Sequence, residues 1–235
     1  MKFTKICILL ALVMGFAAAL SFPAQAYILD FDIPSVDSGA KISYAGGATP
    51  LVGLKLQIDA VSLLTDSDVL ISGPYRVTGA GGLGDGTMNF TTGKFSTSVG
   101  NVWIFSGGGT ITITGEIPGI GITTVETLMT GTFTDAQVVG PLSMKSNTGQ
   151  VDGNFQDIKY APLLKYFGLT VPQMDSGGFS VTITVPTGTT PPSGFMTTGV
   201  FSGNVLNTVV PLPPSVLLLG SGLLGLLALR GRRKS

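Results

Sequence analysis

The sequence predicts an all-β fold: an antiparallel β-sandwich or jelly-roll-like body, with an N-terminal signal helix and one C-terminal transmembrane helix. Three observations predict it. Stretches of apolar–polar alternation recur through the middle of the chain, clusters of glycine part them, and uncharged apolar runs stand towards both ends. Period two with one apolar face is what a half-buried antiparallel strand needs. Many short strands separated by turn formers suggest a sandwich or jelly roll rather than alternating α and β units.

Residues 1–26 read MKFTKICILLALVMGFAAALSFPAQA. Lys2 and Lys5 give a positive start, Ile6 to Leu20 an apolar core, and Ala24-Gln25-Ala26 a small-x-small cleavage site. These are the three parts of a secretory signal peptide. Signal peptidase is therefore an expected partner, cutting after Ala26 and leaving Tyr27 as the first mature residue.

The exported body is expected over residues 27–208, long enough for one domain with a sizeable core. Leu54 to Ala60 alternates, with Leu54, Leu56, Ile58 and Ala60 on one side. Gly109 to Gly115 sets Ile111 and Ile113 against Thr110, Thr112 and Thr114, and Phe179 to Val185 repeats the pattern. Between them lie Gly46-Gly47, Gly79 to Gly86, Gly107 to Gly109 and Gly119-Ile120-Gly121, where glycine permits tight reversals. Pro162 to Gly168 reads as a short helix, with proline in its first turn and glycine as its stop. Pro186 to Gly194, PTGTTPPSG, reads as a loop, and Asn204 to Pro214 as a connector.

Composition removes several chemistries. All 13 acidic residues fall in the body, against seven basic ones, so its net charge is −6 although the whole chain sums to zero. A sparsely charged, acidic surface does not suit nucleic acid, which needs a basic patch. The chain has no histidine, and its one cysteine, Cys7, lies in the signal sequence. Neither a Ser-His-Asp nor a Cys-His arrangement can exist in the mature protein, nor the usual Cys/His zinc sites. Gly79-Ala-Gly-Gly-Leu-Gly84 lacks the Lys-Ser/Thr of a phosphate loop.

Carboxylates remain. Asp37-Ser38-Gly39 and Asp175-Ser176-Gly177 offer a paired-aspartate reading, against which Asp-Ser-Gly is a common turn. Glu116 and Glu126 could flank a glycosidic bond as acid and base, or sit as solvated strand ends. Asp30 and Asp32, or Asp66 and Asp68, offer hard oxygens for a structural calcium ion, though Asp66-Ser67-Asp68 does not continue as an EF-hand loop. No other cofactor is expected. Thr110/Thr112/Thr114 and Thr182/Thr184 form threonine ranks of the kind an ice-binding face uses. Such a face needs ranks at regular intervals, which the chain lacks, and threonine is a good strand former. Tyr27, Tyr44, Tyr75 and Trp103 could stack on sugar rings if exposed; Trp103, between Val102 and Ile104-Phe105, reads as core.

Residues 209–235 carry the most specific pattern. Pro211, Leu212, Pro213 and Pro214 precede an uncharged run of Val216, Leu217, Leu218, Leu219, Gly220, Ser221, Gly222, Leu223, Leu224, Gly225, Leu226, Leu227, Ala228 and Leu229. As a helix the run would rise about 21 Å, or about 28 Å from Pro211, against a hydrocarbon core of about 30 Å. The glycines and Ser221 keep one face slim for contact with another helix. Arg230, Arg232, Arg233 and Lys234 follow at once, a basic cluster that stays on the cytoplasmic side of the inner membrane.

This tail resembles the PEP-CTERM sorting domain of exported proteins of Gram-negative bacteria, with Leu212 where that family usually carries a glutamate. Such tails also go by the name ice-binding protein C-terminal domain, which describes the sorting segment alone. The resemblance covers about 25 residues and implies that exosortase, a membrane enzyme, recognises and cleaves the tail. The product would pass to the cell surface or the exopolysaccharide matrix, with exopolysaccharide itself as a partner. The function expected is therefore that of a non-enzymatic structural or interaction protein. The rivals are a secreted carboxylate-dependent hydrolase, acting on glycosides or peptides, and a permanently membrane-anchored surface protein.

Overall fold

The computed structural model describes residues 27–34, 39–65, 67–140, 147–169, 175–197 and 199–209. The expected signal sequence and sorting tail, Asp37, Ser38 and Asp66 lie outside them. The described chain is all-β. Its strands are β1 (Tyr27–Ile33), β2 (Lys41–Tyr44), β3 (Pro50–Ile58), β4 (Ala60–Thr65), β5 (Leu70–Arg76), β6 (Gly86–Val99) and β7 (Val102–Ser106). They continue as β8 (Thr110–Ile117), β9 (Ile122–Val139), β10 (Thr148–Lys159), β11 (Asp175–Thr184), β12 (Phe195–Met196) and β13 (Gly199–Val209).

Every pairing between these strands is antiparallel, and they form one sheet in the order β12-β2-β3-β6-β7-β9-β10-β11-β13-β1-β4-β5. β8 shares the place of β7: both lie between β6 and β9, one on each half of those long strands. Ser106 to Gly109 form the kink between them. At Gly109 φ is +73°, and a Cβ would collide with the Thr91 carbonyl, so glycine is required for the two strands to follow one line.

The sheet curls. Phe90 on β6 and Phe179 on β11 are four places apart in the order, about 19 Å in a flat sheet. Their ring centroids are 5.0 Å apart, and Phe133 touches both at 5.9 Å. The inward residues of opposite limbs therefore form one core, including Leu29, Phe31, Ile58, Val61, Ile111, Ile113, Val151, Val181 and Val205, each fully buried. Such closure removes apolar surface from water, at roughly 25 cal/mol per Å².

Helix α1 (Ala161–Tyr166) has Pro162 in its first turn and Gly168 at φ +71° just beyond its end, and it buries Leu163 and Leu164. Pro186 to Gly194 is a loop as expected, and it closes one end of the core: Trp103 Nε1 donates to the Ser193 carbonyl at 3.1 Å. Trp103 is fully buried, and so is Tyr44, which is packed edge-on against Phe105.

Three expectations are corrected. The alternation from Leu54 to Ala60 is broken by a bulge at Gly53–Leu56, where Lys55 has φ +57° and its N–H donates to Asn89 Oδ1 at 2.9 Å. The extra residue turns Leu54 outward, 51% exposed, while Leu56 and Ile58 stay buried. Asn204 to Val209 is strand rather than connector, because β13 pairs with β11 on one side and β1 on the other. Asp175-Ser176-Gly177 is also strand, opposite Asp157, Gln156 and Phe155. Gly177 lies under the Phe155 ring, where a Cβ would not fit.

Candidate functional site

Alternation along five adjacent strands assigns each side chain to a face. Leu29, Phe31, Val61, Leu63, Val151, Phe179, Val181 and Val205 point into the core, so Asp30, Asp32, Ser62, Gln150, Ser180, Thr182 and Asn204 fall on the other face. Register then aligns them. Ser62 faces Asp30, Asp32 faces Asn204, Asn204 faces Ser180, and Thr182 faces Gln150. Together with Ser202, and with Leu70 and Pro74 of β5, they line a groove of about 630 Å³.

The groove is polar and carries no lysine or arginine in its lining. Gln150 Nε2 donates to Ser180 Oγ at 2.8 Å and to Asp152 Oδ1 at 2.7 Å, which fixes the amide across two strands. Asp30 is the least comfortable group: its Oδ1 is buried and has no hydrogen-bond partner. Burial, with Asp32 and then Asp68 nearby, raises its pKa to about 6. An unsatisfied buried acceptor favours any ligand that brings a donor.

Three other carboxylates are committed elsewhere. Glu116 accepts from the Gly81 and Gly82 amides at 3.0 and 3.1 Å and so closes the glycine loop 79–84. Glu126, whose strand neighbour is Gly115, accepts from the Thr124 hydroxyl at 2.9 Å. Asp157 is paired with Lys159 inside the core. Of the calcium candidates, Asp30 and Asp32 lie in the groove and Asp66 lies outside the described residues; among the described residues no three His, Cys, Asp or Glu side chains are placed to hold a metal ion.

The threonine ranks do meet across strands. Thr87, Thr114 and Thr127 form one row and Asn89, Thr112 and Thr130 the next. The register shift between Ile113 and Thr114 and the half-burial of Thr87, Thr112 and Thr114 break the regular spacing an ice lattice would need. Of the aromatic candidates, Tyr75 packs edge-on against Tyr166, 5.3 Å between centroids, and accepts its hydroxyl at 2.8 Å.

The residues Ala24, Ala26, Pro211 to Pro214, Val216 to Leu229, Arg230, Arg232, Arg233 and Lys234 all lie outside the described residues. Among the described residues no helix is long and apolar enough to cross a membrane. Comparison with family models, with curated proteins and with solved structures found no match.

Proposed function

We propose that this is an exported structural or interaction protein of the cell surface or exopolysaccharide matrix, delivered through its C-terminal tail. The observation that carries the reading is the order of three chemically different parts: Pro211-Leu-Pro-Pro214, the uncharged run to Leu229, and the basic cluster to Lys234. The run halts translocation, the arginines hold its end in the cytoplasm, and an exosortase-type membrane protease cuts near Pro211 to Pro214. Supporting it, the curled sheet of Tyr27–Val209 is one compact unit whose acids Glu116 and Asp157 serve hydrogen bonds and an ion pair. We read that curled sheet as a β-sandwich whose two limbs enclose the phenylalanine cluster.

Intact-mass measurement on the exported product tests the relay. In cells with the processing enzyme the mass should correspond to a chain starting at Tyr27 and ending near Pro211 to Pro214. In cells without it, the tail should remain and the protein should stay with the inner membrane. A full tail in both strains would leave a permanently anchored protein instead.

A further inference from the structure

We propose that the groove across β4, β1, β13, β11 and β10 binds a neutral oligosaccharide chain lying across the strands. The inference rests on the surface or matrix reading above and names what this face of the protein would hold there.

Lining chemistry selects the ligand class. Hydroxyls of Ser62, Ser180 and Thr182 and the amide of Asn204 supply donors and acceptors, while Gln150 Oε1, whose own N–H donors are spent on Ser180 and Asp152, and the carboxylate of Asp30 supply acceptors. A polyol matches such a set, since each sugar hydroxyl both donates and accepts. Asp30 Oδ1, buried and without a partner, is an acceptor waiting for one O–H. An anionic ligand such as a phosphate or uronate meets two aspartates and no cation in the lining. A protein partner would want a large aromatic or arginine anchor, and the apolar lining amounts to Ala60, Leu70 and Pro74.

Shape selects a chain over a single ring. From β4 to β10 is four inter-strand steps, about 19 Å along the sheet. Gln150 is held in place by Ser180 and Asp152 before any ligand arrives, so little side-chain freedom remains to be lost there.

The full exported chain, purified in mild detergent, should be tested by affinity electrophoresis. The probes are neutral glucan and mannan oligosaccharides, the neutral polysaccharide fraction of the producing cells' own matrix, and alginate as the anionic control. Retention by a neutral glycan and none by alginate is expected. Gln150→Ala and Asn204→Ala should each weaken retention about tenfold while leaving thermal unfolding in place, and Tyr166→Phe, outside the groove, should leave retention unchanged. Asp30→Asn, which loses an acceptor and keeps the shape, should weaken it as well. Equal retention by alginate, retention indifferent to Gln150→Ala and Asn204→Ala, or no retention of any neutral probe would each overturn the proposal. Calorimetry with calcium alone distinguishes a cation site: calcium binding lost in Asp30→Asn, without glycan binding, also overturns it. Tail processing is read separately by mass. A correctly processed chain that binds no neutral glycan removes this inference alone, and an unprocessed chain that binds one removes the sorting account alone.

Discussion

Asp157 and Lys159, two residues apart on β10 and facing the same side, form an ion pair in which neither side chain has any solvent exposure: Nζ lies 3.1 Å from Oδ2 and 3.2 Å from Oδ1. Desolvating two charges is costly, and their attraction only offsets that cost when both are present. Asp157→Asn or Lys159→Met alone should therefore destabilise the protein by about 3–5 kcal/mol. Joint replacement by Asp157→Leu and Lys159→Met should recover most of the loss. Urea unfolding of the single and double variants measures both, and additive losses would contradict the pairing.

Glu116 reaches back to two amides of the glycine loop, a contact between charge and N–H that holds the loop against β8. Hydrogen bonds to a charged acceptor contribute about 1.5–3 kcal/mol, less where the donors can turn to water. Gly81 and Gly82 are exposed, so Glu116→Ala should cost about 1–2 kcal/mol. Amide exchange should quicken at residues 80–84 well before the rest of the sheet responds, and Glu116→Gln should be milder.

The Asp30 pKa is raised to about 6 by burial first, then by Asp32 and Asp68. Below pH 4 the folded and unfolded chains both hold the proton. As pH rises from about 4 to 6 the unfolded chain releases it first, so stability falls, and above 6 the full penalty remains. Asp30 is partly exposed, and after allowance for screening the effect is about 1 kcal/mol. Asp30→Asn should raise Tm at pH 7 and leave it unchanged at pH 3.5. A gain of the same size at both pH values would assign the effect to packing instead.

Gly153 on β10 lies beneath Phe133 and Phe179, and a Cβ there would sit 2.5 Å from one ring and 2.7 Å from the other. Gly153→Ala must displace rings that hold the two limbs of the sheet together. The expected loss is about 1–3 kcal/mol, as for other overpacked cores. Phe179→Leu, which vacates space beside it, should soften the cost of Gly153→Ala when the two are combined, as a double-mutant cycle would record.

The strand content was legible because Thr110 to Thr114 and Phe179 to Val185 alternate strictly, and alternation is a local property. α1 was legible from Pro162 and Gly168 for the same reason. Leu54 misled because a bulge at Lys55 depends on its partner Asn89, 34 residues away. Asn204 to Val209 looked like a tether because its asparagines are polar; Asn207 is fully buried in a strand paired on both sides. The groove was invisible for a related reason. Asp30 and Asp32 stood out as acids, but Ser62, Gln150, Ser180 and Asn204 gain meaning only when register brings them side by side. The threonines of β8 form a rank in sequence, yet Thr87, Thr127 and Thr130 complete the rows from strands whose register no spacing reveals.

β13 lies between β11 and β1, with Val209 opposite Tyr27. Most strands of the body are therefore synthesised before the one that joins β11 to β1. Until residues 199–209 are available, β1, β4 and β5 lack the strand that ties them to β11. Long-range pairing of this kind is slow and leaves edges open meanwhile, so the incomplete chain, half-exported if delivery runs as proposed, would be the form that needs a chaperone.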